Sequence, residues 1–163
     1  MKQFLLSLLF FSVISATFAQ TSIDVLLKDY NSRTVPYISV QELEKEQSKY
    51  LILDTRKQAE YDVSHIPGAI WVGEQLDTIA FAKAYPTKSI TIAVYCSVGI
   101  RSEDFGEQLL AIGYTSVKNV YGSIFSWKDA GYVLENLKGQ KTDSVHVFSQ
   151  VWSSYLKTGI KVY

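Results

Sequence analysis

Apolar residues recur along this chain in two rhythms. Ile23, Leu26, Leu27 and Tyr30 are spaced for one face of a short helix, and Pro36 closes that region. Residues 39–47 read as a second helix, with Ser39 and Glu42 as an S-x-x-E capping box and Val40 and Leu43 on the apolar face. Short strands and helices then alternate. Residues 50–53 form an apolar run ending at Asp54, residues 69–72 form another, and residues 90–95, rich in β-branched side chains, form the strongest strand. Residues 117–121 give a fourth. Between them, residues 58–62 supply one or two helical turns and 76–85 a helix halted by Pro86. Residues 102–112 form a helix with Phe105, Leu109 and Ile112 on one face and Gly113 as its stop. Residues 124–136 are expected to be partly helical, broken near Gly131. From Gly139 the tail carries an apolar stretch at 145–148 and a helical-looking stretch at 151–156. Strand–helix alternation over some hundred residues predicts an α/β domain with a mainly parallel sheet.

The first nineteen residues follow another logic. Lys2 precedes an apolar run over 4–14, interrupted by Ser7 and Ser12, and Thr17-Phe18-Ala19 places small residues where a signal peptidase reads. This predicts a secretory signal peptide cleaved near Ala19, and hence an exported, periplasmic or secreted protein. A retained anchor is the rival, but the run is short for a bilayer core of about 30 Å. No cysteine follows the run, which excludes a lipid-anchored lipoprotein.

Composition narrows the function classes. At 47% hydrophobic and 20% charged residues, the chain can build a packed core and is too apolar for disorder. Sixteen basic residues balance sixteen acidic ones, so no charge excess draws it to nucleic acid. One cysteine and two histidines, His65 and His146, exclude an internal disulfide and a multi-cysteine zinc site. Neither a metal nor a cofactor is expected. In an oxidising compartment a lone thiol is buried, paired with another molecule, or used.

Cys96 sits at the carboxyl end of the strongest strand and just before the best helix, where open α/β sheets bind ligands. The connecting loop, Ser97-Val98-Gly99-Ile100-Arg101-Ser102, can curl its N–H groups toward the sulfur, with Gly99 permitting the curvature. Those amides, the helix end and Arg101 favour thiolate over thiol. Glu103 and Asp104 suit the first helical turn and are expected to place negative charge near the mouth.

Four motifs in order resemble the rhodanese-like family of sulfurtransferases: Asp54-Thr55-Arg56, His65-Ile66-Pro67-Gly68-Ala69, the Cys96-x-x-Gly-x-Arg-Ser102 loop, and a closing pattern through Gly113-Tyr114, Asn119-Val120, Gly122 and Trp127. The resemblance spans about 39–137. It sets a lead-in at 20–38 before the domain and a tail at 138–163 packing on it. It implies a rhodanese-like α/β fold with a central, mainly parallel five-stranded sheet flanked by helices. It also implies that Cys96 takes a sulfane sulfur from a small donor such as thiosulfate and passes it, through a persulfide, to cyanide, a small thiol or a protein acceptor. The amides of residues 97–102 would hold the persulfide, Arg101 would orient the donor, and Asp54, Arg56 and His65 would support the fold. Ser97 and Val98 depart from the family's usual loop, which often has arginine and then a hydroxyl residue there; with fewer cations, a thiosulfate dianion should bind less well. Ser123 stands where a second glycine is frequent.

Three rivals stand beside this reading. A cysteine phosphatase needs five residues between Cys and Arg to ring a phosphate, and here there are four. A papain-like site would need His65 as base, but its motif makes a structural turn histidine the better expectation. A rhodanese-fold binding or relay module without turnover is the non-enzyme alternative. Trp71, Trp127 and Trp152 are expected to be packing residues.

Overall fold

The computed structural model describes residues 22–163, so the expected signal peptide lies outside the described residues. Among the described residues, no helix is long and apolar enough to cross a membrane.

The chain runs α1 (Ile23–Tyr30), β1 (Tyr37–Ile38), α2 (Val40–Lys45), β2 (Leu51–Asp54), α3 (Gln58–Val63), β3 (Ile70–Trp71), α4 (Thr78–Ala84), β4 (Thr91–Tyr95), α5 (Arg101–Ala111), β5 (Ser116–Val120) and α6 (Ser123–Asp129). It continues through β6 (Leu134–Glu135), β7 (Lys141–Thr142), β8 (Ser144–His146) and β9 (Ile160–Val162). Five strands form one sheet in the order β1-β5-β4-β2-β3, all pairs parallel. Parallel neighbours need crossover connections, which the helices supply, and these cover both faces. The alternation along β4 shows it: Ile92 and Val94 join one buried cluster with Phe81, Phe105 and Leu109, whereas Ala93 and Tyr95 join the other with Leu43, Phe125 and Trp127.

Local signals explain most boundaries. The Ser39 hydroxyl caps α2 by accepting the Glu42 N–H at 3.1 Å, and the Asp77 carboxylate caps α4 through the N–H groups of Ile79 and Ala80. The helix expected over 76–85 is therefore trimmed to Thr78–Ala84.

Other elements depart from expectation. The fifth strand is β1, inside the segment read as a lead-in; Tyr37 and Ile38 pair with Asn119 and Val120 of β5. Two residues after a proline carry no periodicity to detect. Residues beyond Asp129 do not continue as helix: Gly131 turns at φ +83 and β6 pairs antiparallel with β7. In the tail, Ser144–His146 pairs in parallel with Ile160–Val162, and the stretch expected to be helical forms only a 3-10 turn at Trp152–Tyr155. Val145, Val147 and Leu156 of the tail are buried in the same cluster as Tyr95 and Trp127.

Candidate active site

Cys96 follows directly on β4, the central strand, and α5 begins five residues later at Arg101. The loop between them bends at Gly99, whose φ of +114 is open only to glycine. This bend aims the Gly99 N–H at the Cys96 Sγ, 3.2 Å away.

The loop is clamped from behind. The Gly99 carbonyl accepts from Asn31 Nδ2 and Asn119 Nδ2, each at 2.8 Å. The Cys96 and Ser97 carbonyls accept the Ile124 and Phe125 N–H groups at the start of α6, each at 3.2 Å. The Cys96 N–H donates to Ser123 Oγ at 3.1 Å. Ser123 itself has φ +50, a backbone conformation that explains why glycine is frequent there, and its hydroxyl gives the loop a contact glycine lacks. Ser102 Oγ lies 3.6 Å from Sγ and 2.7 Å from Asn119 Oδ1; its single proton goes to the nearer oxygen.

Cys96 is 1% exposed. Burial pushes its thiol pKa up, but the Arg101 charge and the Ser102 and Gly99 amides outweigh it. The net result lies below the ordinary thiol value. A thiolate nucleophile above converging donors is what the loop can provide.

Two expectations at the mouth need correction. Arg101 does not offer a free charge. Its Nη1 and Nη2 grip the buried Glu60 carboxylate at 2.8 and 2.9 Å, Nη1 also meets Glu74 at 2.9 Å, and Nη2 donates to Ser97 Oγ at 2.9 Å. Ser97 in turn donates to Glu60 at 3.0 Å. Glu103 adds no charge there: it is buried and accepts from Asn119 Nδ2 and the Val35 N–H. The carboxylates that meet Arg101 at the mouth are Glu60 and Glu74. Burial raises the Glu60 pKa, but the Arg101 pairing, Arg56 and the Lys57 N–H overcome it, so the carboxyl sits below its ordinary range.

The supporting residues lie where their motifs placed them. Asp54 and Arg56 are both fully buried and form a bidentate pair at 2.9 and 2.6 Å, with Arg56 also donating to the Ser64 carbonyl. His65 stacks on Tyr61 with centroids 4.0 Å apart, and its backbone exchanges hydrogen bonds with Glu135. Its Nδ1 lies 3.1 Å from the Tyr61 carbonyl, and the hydrogen bonds at the Cys96 sulfur come from Gly99 and Ser102, not from the His65 ring. His146 Nδ1 accepts the Phe148 N–H at 3.0 Å, and burial holds its pKa below the usual value, so it is neutral near pH 7.

A pocket of about 240 Å³ opens over the sulfur, walled by Cys96, Ser97, Val98, Ile100 and Arg101 from the loop and by Phe148 and Trp152 from the tail. Trp152 is thus a site residue as well as a packing one, and the Phe148 ring covers the Arg101 guanidinium at 4.8 Å. A larger cleft of about 550 Å³, lined by Asp24, Tyr121 and Asp129 among others, shares no residue with this pocket. Its Asp129 carboxylate is occupied by the N–H groups of Lys157 and Thr158. The Cys96 thiol of lowered pKa borders the smaller pocket and not the larger cleft, which makes the smaller pocket the candidate site. Glu60, Ser123, Phe148 and Trp152 were not anticipated as site residues, and only Ser123, at the departure from paired glycines, left a visible signal in the sequence.

Among known proteins, the chain is 36% identical over 70 residues to the thiosulfate sulfurtransferase PspE of Escherichia coli, covering 43% of this chain and 67% of that protein. It is 29% identical over 113 residues to a tRNA uridine(34) hydroxylase of Listeria welshimeri, covering 61% of this chain but only 32% of the relative. For a Candida albicans adenylyltransferase and sulfurtransferase the share of the relative is 20%. Among solved structures, a thiosulfate sulfurtransferase of Pseudomonas aeruginosa aligns at TM-score 0.59 and 26% identity, over 72% of this chain and 22% of that one. The rhodanese-like domain of Anabaena Alr3790 aligns at TM-score 0.57 and 24% identity, over 63% and 80%, a likeness of fold. The rhodanese-like domain family matches residues 39–130, from the cap of α2 to the end of α6 and so across the whole cysteine loop, and the chain belongs to that family.

Proposed function

We propose that this protein is a sulfurtransferase that carries sulfane sulfur on Cys96. The carrying observation is the buried thiol of lowered pKa with the Gly99 N–H on its sulfur. The Cys96 thiolate attacks the sulfane sulfur of a donor X–S; the new Sγ–S bond forms and the S–X bond breaks, with X leaving on its electron pair. A thiol or cyanide acceptor, free or on a partner protein, then attacks the outer sulfur and returns Cys96 as thiolate. No step draws on a metal or cofactor. The sulfurtransferase names among the relatives support this reading. We also propose export to the periplasm after cleavage near Ala19, on the strength of the N-terminal pattern.

Intact-mass spectrometry tests the transfer. The wild-type chain should gain roughly 32 Da on incubation with a sulfane donor, reversed by dithiothreitol, and Cys96→Ser should gain nothing while remaining folded. Equal sulfur loading by the serine variant would remove Cys96 from the mechanism. Cys96-dependent hydrolysis of p-nitrophenyl phosphate without any sulfur adduct would favour the phosphatase reading.

A further inference from the structure

We propose that the Cys96 pocket takes sulfur from organic carriers with an apolar body and at most one negative charge, and disfavours the thiosulfate dianion. This rests on the sulfurtransferase reading and assigns its donor class.

The polar groups at the mouth are already paired with one another. Each terminal nitrogen of Arg101 makes two hydrogen bonds, to Glu60, Glu74 and Ser97, and Phe148 lies over the guanidinium. The Ser97 hydroxyl donates to Glu60 while accepting from Arg101. A second cation, Lys57, lies 5.1 Å from the centroid of the Phe148 ring and does not line the pocket. The one cation among the residues that line the pocket is therefore already matched by two carboxylates, Glu60 and Glu74, and a dianion meets no unpaired cation on the described wall. His146 behind this wall is neutral near pH 7.

What the pocket does offer is apolar surface. Val98, Ile100, Phe148 and Trp152 wall a space of about 240 Å³, enough for a group of phenyl size packed among these apolar side chains. A fitting donor is an organic persulfide, R–S–SH. Cys96 Sγ attacks its terminal sulfur, the S–S bond joining that sulfur to the R-bearing sulfur breaks, and R–S⁻ leaves with the electron pair, to be protonated by solvent. The sulfane sulfur changes partner with no net oxidation, so no outside oxidant enters.

Stable thiosulfonates serve as probes, because attack on R–SO₂–S⁻ releases a sulfinate and leaves the same Cys96 persulfide. Benzenethiosulfonate and methanethiosulfonate share charge and leaving-group type and differ in the body. Loading of the full chain, followed by quenched intact-mass spectrometry, should be about tenfold faster with the phenyl compound. Phe148→Ala and Trp152→Ala should remove most of that ratio by slowing only the phenyl donor. Glu74→Gln should speed thiosulfate about fivefold, more than either monoanion. If an alanine variant fails to fold, Phe148→Leu, which keeps bulk without the ring, carries the comparison. A phenyl-to-methyl ratio within twofold that no variant shifts, or thiosulfate loading as fast as benzenethiosulfonate, overturns the donor class and leaves the sulfurtransferase reading standing. No loading from any of the three donors overturns both.

Discussion

At the scale of single residues, the acidity of Cys96 is a contest. Burial favours the neutral thiol, whereas Arg101 and the Ser102 and Gly99 amides favour the anion and prevail. Arg101→Ala removes the largest of the favouring contributions. The midpoint of Cys96 alkylation by iodoacetamide should rise, because the guanidinium charge no longer favours the thiolate over the thiol. An unchanged rate profile would assign the acidity to the amides alone. Glu60 reads out in stability instead. Its folded pKa lies below the ordinary 4.5, so its contribution is fully present above that value and is lost as pH falls through the lower, folded value. Glu60→Gln should therefore flatten the acid limb of stability below about pH 4.5, as urea unfolding across pH would show.

At the scale of elements, α5 is placed by what it lacks. Glycine inside a helix costs about 1 kcal/mol relative to alanine, yet Gly106 sits mid-helix. A β-carbon there would lie 3.0 and 3.1 Å from the two γ-carbons of Val35 and 3.4 Å from Val94. Close approach of α5 to β4 and to the segment before β1 is thus built on that glycine, and it seats the helix whose start carries Arg101. Gly106→Ala should destabilise by about 1–2 kcal/mol despite its better propensity, because overpacking against buried Val35 outweighs the gain. Urea midpoints compare the two; a stabilised variant would show that Val35 has room to move.

At the scale of the whole molecule, the tail is part of the body that holds the site. Val145, Val147 and Leu156 are at most 1% exposed. At about 1.5–3 kcal/mol for each buried aliphatic side chain, their loss removes about 5–9 kcal/mol, comparable to the entire stability of about 5–15 kcal/mol typical of a domain. A chain ending at Leu137 should fail to melt cooperatively by circular dichroism, although it keeps all five strands of the main sheet. A truncated chain with a native-like transition would mean that the tail caps a domain stable without it. The pocket makes the same point, since Phe148 and Trp152 wall one side of it.

What was legible in the sequence was local. A β-branched run ending in cysteine, a glycine three residues on and an amphipathic helix beyond are patterns of a few residues. Local sterics and periodicity suffice to place Cys96 at the carboxyl end of a strand. The Asp54–Arg56 pair was legible for the same reason, its partners lying two residues apart. What the tertiary structure decided lies between distant residues. Glu60 reaches Arg101 across 41 positions and Glu74 across 27, so the charge at the mouth could not be read from the loop, and the acidic neighbour that could be read, Glu103, turns inward to Asn119. The short β1 forms because β5 supplies its partner, not because Tyr37 and Ile38 carry a pattern. Phe148 and Trp152 face the sulfur only because β8 and β9 fold the tail back onto α3 and the core. Packing of distant segments has no period along the chain, and at this site it sets the charge and the apolar wall around a cysteine that the sequence already places.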